Sequence, residues 1–247
     1  MTAGDFETAA KKLRPFTDHI YPHLMGEPLC HPEFPLILDI AEKNGFNVII
    51  TTNGTLLSKQ EQTLLESRAL KRVNISLHSF EATAQQRTLE EYLYGCLSFA
   101  KKAEGKTIIS LRLWNNGGMD AKNEDIKGVI ADYFPLPWTD SRNGAKIGEN
   151  VFIEYGSRFD WPDIESENEG ENVFCYGLRD QIGILCDGTV VPCCLDSDGN
   201  IPLGNIFTEE LEDILQKPRA TALYNGFSAR KAAEELCRKC GYAKRFG

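Results

Sequence analysis

Six of the eight cysteines in this 247-residue chain, Cys175, Cys186, Cys193, Cys194, Cys237 and Cys240, fall within its last 73 residues. A segment that short holds too little apolar surface for a large core of its own, so thiols gathered there point to a metal staple. In Cys237-Arg238-Lys239-Cys240 the spacing lets two thiolates reach one centre from a single turn. With Cys175 and the hairpin cysteines upstream, four sulfurs can be assembled, and the preferred set is Cys175, Cys193, Cys237 and Cys240. Cys193 and Cys194 are chain neighbours whose side chains diverge, so one ligates while the other packs. Cys186 is the main substitute, lying across the hairpin turn from Cys193. Sulfur donors suit zinc and iron–sulfur clusters alike, so spacing leaves the metal open. In a reducing cytosol, clustered thiols of this kind are metal ligands more often than disulfides. The isolated Cys30 and Cys96 read as loop packing and helix core.

The cysteine count changes abruptly at about residue 175, and the pattern upstream is of a different kind. Helices are expected over 4–14, from His31-Pro32 to the stop at Asn44-Gly45, from a Ser58/Glu61 capping box to Arg68, from a Thr83/Gln86 capping box through Leu89, Leu93, Cys96, Leu97 and Ala100, and near 122–133. Strands are expected between them over 18–24, 46–52, 72–78, 106–113 and 151–155. Regular βα alternation with helical crossovers implies a parallel sheet with helices on its outer face. Val73, Ile75 and Leu77 alternate with Asn74, Ser76 and His78, and Ser110 and Arg112 alternate with Ile109, Leu111 and Leu113. Polar rows of this sort favour a barrel or partial barrel with a partly wet lumen over a flat sheet buried on both faces. The expected division is a barrel-like body over 1–156, an acidic linker over 157–174 and a Cys-rich α+β domain over 175–247. In the last, Asp187-Gly188 turns a hairpin between 181–185 and 189–193, with helices near 208–216 and 228–237.

Charge and hydropathy remove several function classes. Lys and Arg number 27 against 36 Asp and Glu, a net charge of −9. Nucleic acid is therefore not expected as a partner, because that mode needs clustered cations. No stretch reaches the roughly 18 apolar residues of a membrane span, and the first residues carry no apolar signal region, so a cytoplasmic protein is expected. No G-x-G-x-x-G follows a strand, and neither a P-loop nor a nucleophile elbow is present.

Polar groups recur at three successive strand ends, the face on which βα barrels place their sites. The first is Met25-Gly26-Glu27-Pro28, where Gly26 admits close approach of a ligand and Pro28 leaves carbonyls free to accept from an amine. The second is Thr51-Thr52-Asn53-Gly54-Thr55, and the third is Ser76-Leu77-His78-Ser79. Asn53 and His78 are equally suited to capping local backbone.

The run 25–34, Met-Gly-Glu-Pro-Leu-Cys-His-Pro-Glu-Phe, followed by Thr-Thr-Asn-Gly-Thr at 51–55, resembles the second and third strand region of radical SAM enzymes. The tail, with Cys175, Asp187-Gly188-Thr189-Val190-Val191-Pro192-Cys193-Cys194, Leu203-Gly204-Asn205-Ile206 and Cys237-Arg238-Lys239-Cys240, is similar to the SPASM or shorter twitch auxiliary-cluster domain. The resemblance implies a partial (βα)6 barrel and an auxiliary 4Fe-4S cluster. It also implies that Gly26 and Glu27 meet the amino group of S-adenosylmethionine, Ser76 and His78 its ribose side, and Arg112 its carboxylate. Met25 stands where the family usually has a second glycine. The family holds its reducing cluster in a CxxxCxxC loop after the first strand, and that spacing occurs nowhere here. The chain is therefore expected to be an N-terminally truncated form that does not cleave the cofactor reductively by itself.

Two functions from different classes follow. One is an oxidoreductase or maturase for a peptide or small molecule, exchanging electrons with a donor protein. The other is a catalytically inactive barrel kept as a zinc-stapled binding or scaffold protein. Loss of the first strand would leave 18–24 as an edge open to self-association.

Overall fold

A computed structural model describes residues 1–80, 87–118, 120–168 and 170–246. The chain divides into two compact units, one of Asp18–His23 and Glu27–Arg158, the other of Met1–Thr17, Leu24–Gly26 and Phe159–Gly247.

The first unit, here the body, is built on a sheet of β1 (His19–Ile20), β2 (Asn47–Thr52), β3 (Leu70–Ser76), β4 (Ile108–Asn116), β5 (Thr139–Ser141), β6 (Gly144–Gly148) and β7 (Val151–Ser157). Its order is β1-β2-β3-β4-β7-β6-β5. The first five strands in that order are parallel, while β6 and β5 continue antiparallel as a hairpin. The crossovers carry α2 (Phe34–Lys43), α3 (Leu57–Glu66), α4 (Leu89–Ala103) and α5 (Asn123–Tyr133). This is the expected α/β class, a largely parallel sheet whose outer strands among the described residues are β1 and β5.

Alternation decides which face is covered. Val48, Ile50, Val73, Ile75, Ile109, Leu111, Leu113, Val151 and Ile153 are all at most 1% exposed. Helices α2 and α4 pack on β2 and β4, and bring Leu38, Ala41, Leu93, Leu97 and Ala100 to the same core. Each such valine, leucine or isoleucine side chain contributes about 1.5–3 kcal/mol by leaving water.

Several local expectations are corrected. The strand expected over 18–24 shrinks to two residues, because Tyr21 to Met25 turn away before the Gly26 bend, where φ is +94. Ser58 is not a cap. Helix α3 begins two residues earlier, after Leu56, with no side-chain cap. Thr83 and Gln86 lie outside the described residues, and α4 is capped by Thr88, whose box partner is Glu91. The strand expected to reach His78 ends at Ser76, and Leu77–Ser79 form a 3-10 turn. Cys30 ends another such turn and is exposed rather than packed, while Cys96 is buried in α4 as expected.

The second unit, here the tail, carries α1 (Ala3–Leu13), a three-stranded antiparallel sheet of β8 (Gly183–Ile184), β9 (Thr189–Val191) and β10 (Gly204–Asn205), and the helices α6 (Leu211–Gln216), α7 (Pro218–Ser228) and α8 (Glu235–Arg238). The helix expected over 228–237 is thus divided, α7 ending and α8 starting within it. Helix α1, read from sequence as part of the body, groups here instead. Ala9 joins a core of Val190, Ile201, Leu203, Ile206, Leu223 and Phe227. Lys12 fastens the helix by donating to the Glu209 carbonyl at 2.8 Å and pairing with Glu210 at 3.0 Å.

Candidate metal centre and strand-end site

The hairpin brings the middle of the cysteine pattern into place. Leu185 N–H donates to the Thr189 carbonyl and Gly188 N–H to that of Leu185, closing the Asp187-Gly188 turn. Strand β9 then runs into Pro192 and Cys193. Cys175 is steadied by the Gly177 N–H, 3.3 Å from its Sγ. Cys237 lies in α8, and Cys240 just beyond it.

Cys175, Cys193, Cys237 and Cys240 line one cavity of about 550 Å3, counting its open mouth. Its other walls are mainly apolar, among them Val173, Phe227, Leu236 and Phe246. Burial pushes all four thiols above their ordinary range, Cys193 to about 12. After burial, the electrostatic influences on Cys237 are those of Cys193, Cys175 and Cys240, and then of Glu234. The four sulfurs therefore share one low-dielectric space in which a second negative charge is resisted. Cys194 is half-buried and is raised by burial and then by Cys175 and Cys240, whereas Cys186 is exposed and away from the cavity lining. Among the described residues, no three His, Cys, Asp or Glu side chains are gathered tightly enough to hold a single metal ion.

In the body, the strand-end residues are held by a continuous set of hydrogen bonds. Glu27 accepts from Leu29 N–H through Oε1 (3.1 Å) and from Asn53 N–H through Oε2 (2.7 Å), tying the turn at Pro28–Cys30 to the end of β2. Asn53 Oδ1 accepts from the Thr55 N–H and hydroxyl. The Asn53 carbonyl accepts from the Tyr92 hydroxyl at 2.7 Å, and the Ser76 carbonyl lies 3.4 Å from the same hydroxyl. His78 Nδ1 sits 3.1 Å from the Arg112 carbonyl oxygen. Met25 is exposed, and Pro28 is buried behind the turn. The two-unit division passes between Gly26 and Glu27.

The inner face of the sheet is less wet than its sequence suggests. Asn74 is 2% exposed and Ser110 fully buried. Arg72 ion-pairs with Glu154 across β4 and donates to Asn74 Oδ1 at 2.8 Å, and Asn74 in turn donates to Thr51. Arg112 reaches the other Glu154 oxygen at 3.4 Å and stacks its guanidinium 4.4 Å from the Trp114 ring. Burial, then Arg112, lowers His23 to about 4. Burial also lowers His78 against the opposing pull of its bond to the Arg112 carbonyl. Both imidazoles are neutral at pH 7. Glu154, Tyr92 and His23 were not singled out by sequence reasoning. The register Ser76, Arg112, Glu154 across three strands that links Glu154 to the site exists only once the sheet is formed.

Residues 175–241 match the family model for SPASM, an iron-sulfur cluster-binding domain. Among solved structures, the chain is similar to BtrN in complex with AdoMet and 2-DOIA, at 17% identity and a TM-score of 0.56, over 97% of this chain and 80% of that one. It is similar to Streptococcus suis SuiB at 12% identity and a TM-score of 0.63, over 100% of this chain and 68% of that one. The same protein bound to precursor peptide SuiA gives 15% identity and 0.56, over 99% and 64%. No curated protein sequence matches the chain. The expected auxiliary-cluster tail is borne out by the SPASM match, and the expected α/β fold by the likeness to BtrN and SuiB.

Proposed function

We propose that this chain, a SPASM-type protein by its tail with a body of the fold seen in BtrN and SuiB, belongs to a radical SAM oxidoreductase or maturase acting on a peptide or small molecule. The observation that carries the reading is the single cavity lined by Cys175, Cys193, Cys237 and Cys240, all four inside the SPASM match. These residues suit an auxiliary 4Fe-4S cluster in donor chemistry and in setting. Bound there, the cluster supplies one-electron storage and transfer. The thiols must each give up a proton to hold it, and the apolar walls keep water from the sulfurs.

By the resemblance at 25–34 and 51–55, Gly26 and Glu27 are assigned to the amino group of S-adenosylmethionine, Ser76 and His78 to its ribose side and Arg112 to its carboxylate. Glu27 keeps lone pairs for this beyond the two backbone donors it already accepts. Asn53 holds the loop that carries Glu27's second donor. The CxxxCxxC spacing needed for reductive cleavage is not in these 247 residues, so the chain's own share is positioning of cofactor and substrate together with the auxiliary centre. The peptide-bound SuiB and the small-molecule-bound BtrN support the two substrate classes. A reducing cytoplasmic setting, in which eight free thiols persist, and exchange of electrons with a donor protein complete the reading.

The test is anaerobic reconstitution of the full chain with iron and sulfide, followed by metal and sulfide analysis. Four irons and four sulfides per chain are expected from a cubane, falling to background in Cys237→Ser. Zinc filling the site under iron-replete anaerobic conditions would overturn the reading in favour of a zinc-stapled scaffold.

A further inference from the structure

The segment that follows Cys240 is a 3-10 turn, Gly241–Phe246, and two of its rings, Tyr242 and Phe246, line the cysteine cavity. They belong to a chain of six aromatic rings within the tail. Tyr242 and Phe246 meet edge to face with centroids 5.4 Å apart. Phe246 continues to Tyr176 at 5.0 Å and Tyr176 to Phe174 at 5.1 Å, while Tyr242 continues to Phe159 at 4.8 Å and Phe159 to Trp161 at 6.1 Å. Arg245 spans two of these rings, 4.9 Å from the Phe159 centroid and 5.0 Å from that of Tyr242.

An aromatic cluster is most often ordinary core packing. This one is not core, because Phe159, Tyr176, Tyr242 and Phe246 are each only half-buried. Tyr242 and Phe246 line the cavity, are themselves partly exposed and are backed by the partly exposed Phe159 and Tyr176, so they form part of a thin aromatic wall beside it. The wall is also pressed into place. A Cβ on Gly241 would come within 2.9 Å of the Asp160 carbonyl oxygen, so only glycine lets the turn approach the segment after β7 so closely.

We propose that Tyr242 and Phe246, clamped by Arg245, are positioning residues that keep water from the auxiliary cluster and thereby set its reduction potential. The inference rests on the cluster assignment above. Four thiolates leave the bound cluster anionic, and reduction adds a further negative charge. An apolar wall disfavours that charge, whereas admitted water stabilises it. Breaching the wall must therefore ease reduction.

The experiment uses the full chain reconstituted anaerobically, with Phe246→Ala, Tyr242→Ala and the conservative Tyr242→Phe compared with the wild type. Reductive titration with dithionite followed by EPR reads the potential, exchange into D2O with ENDOR reads water near the cluster, and decay in air reads its shielding. In the alanine variants the reduced-to-oxidised ratio at the wild-type midpoint should rise about tenfold, equivalent to about 59 mV for one electron. New deuterium couplings and several-fold faster decay should accompany it, while Tyr242→Phe keeps wild-type values. If an alanine variant loads no cluster, Phe246→Val, which keeps the turn but thins the wall, should show the same changes to a smaller extent. Wild-type iron and sulfide content with unchanged potential, couplings and decay in every variant overturns the wall. Failure of the wild type to load iron and sulfide overturns the cluster assignment itself.

Discussion

Acid should weaken the body through His23, and the size of the effect can be worked from its surroundings. The imidazole follows the short strand β1, its Nδ1 is buried without a hydrogen-bond partner among the described residues, and burial with Arg112 nearby lowers it from 6.5 to about 4. In the unfolded chain it takes up a proton near 6.5, so between the two values the unfolded state binds more protons than the folded one. The stability contributed by the neutral form is thus complete above about 6.5 and is lost as pH falls toward 4. At about 1.4 kcal/mol per pH unit, the loss is about 1.4 kcal/mol at pH 5.5 and about 3 kcal/mol at pH 4. Urea denaturation at pH 7, 5.5 and 4, in a Trp161→Phe background so that fluorescence reports Trp114 and Trp138 of the body, measures it. His23→Gln, which cannot gain the proton, should remove most of that pH dependence, and the remainder includes His78, lowered in the same direction. An NMR titration that places His23 near 6.5, or equal pH dependence in wild type and His23→Gln, would refute the argument.

Other outcomes follow from the same geometry. Gly54 has φ +82, and a Cβ there would lie 2.6 Å from Cys96 Sγ, so Gly54→Ala should cost about 2–4 kcal/mol from left-handed backbone and overlap together. In a double-mutant cycle Cys96→Ala should recover about 1 kcal/mol or more, and simple additivity would contradict the contact. Burial keeps Cys175, Cys193, Cys237 and Cys240 as neutral thiols, so in the apo protein at pH 7 iodoacetamide should alkylate them several-fold more slowly than exposed Cys186, because the thiolate is the nucleophile; equal rates at all five, read by mass spectrometry, would contradict their burial. Strand β1 is a sheet edge paired with β2 alone among the described residues, so sedimentation should show concentration-dependent self-association. A strictly monomeric profile at high concentration would exclude it.

Local order was legible wherever a short-range rule governs it. The alternation of Val73 and Ile75 with Asn74 and Ser76 named both faces of β3, Asn44-Gly45 stopped α2, and Asp187-Gly188 turned the hairpin, because each depends on residues within a few positions of one another. Cysteine spacing likewise marked the tail, since two thiols three residues apart can meet one centre in almost any turn. What the tertiary structure decided depends on contacts between distant segments. It divided the expected last helix, drew α1 into the tail core, and chose Cys193 over Cys186 for the cavity wall. It set Glu154 between Arg72 and Arg112 across strands that are 42 and 82 residues away in sequence. A linear chain specifies which groups are available and their local geometry, but burial, and with it the state of every thiol and imidazole discussed above, arises only when remote segments exclude water from one another.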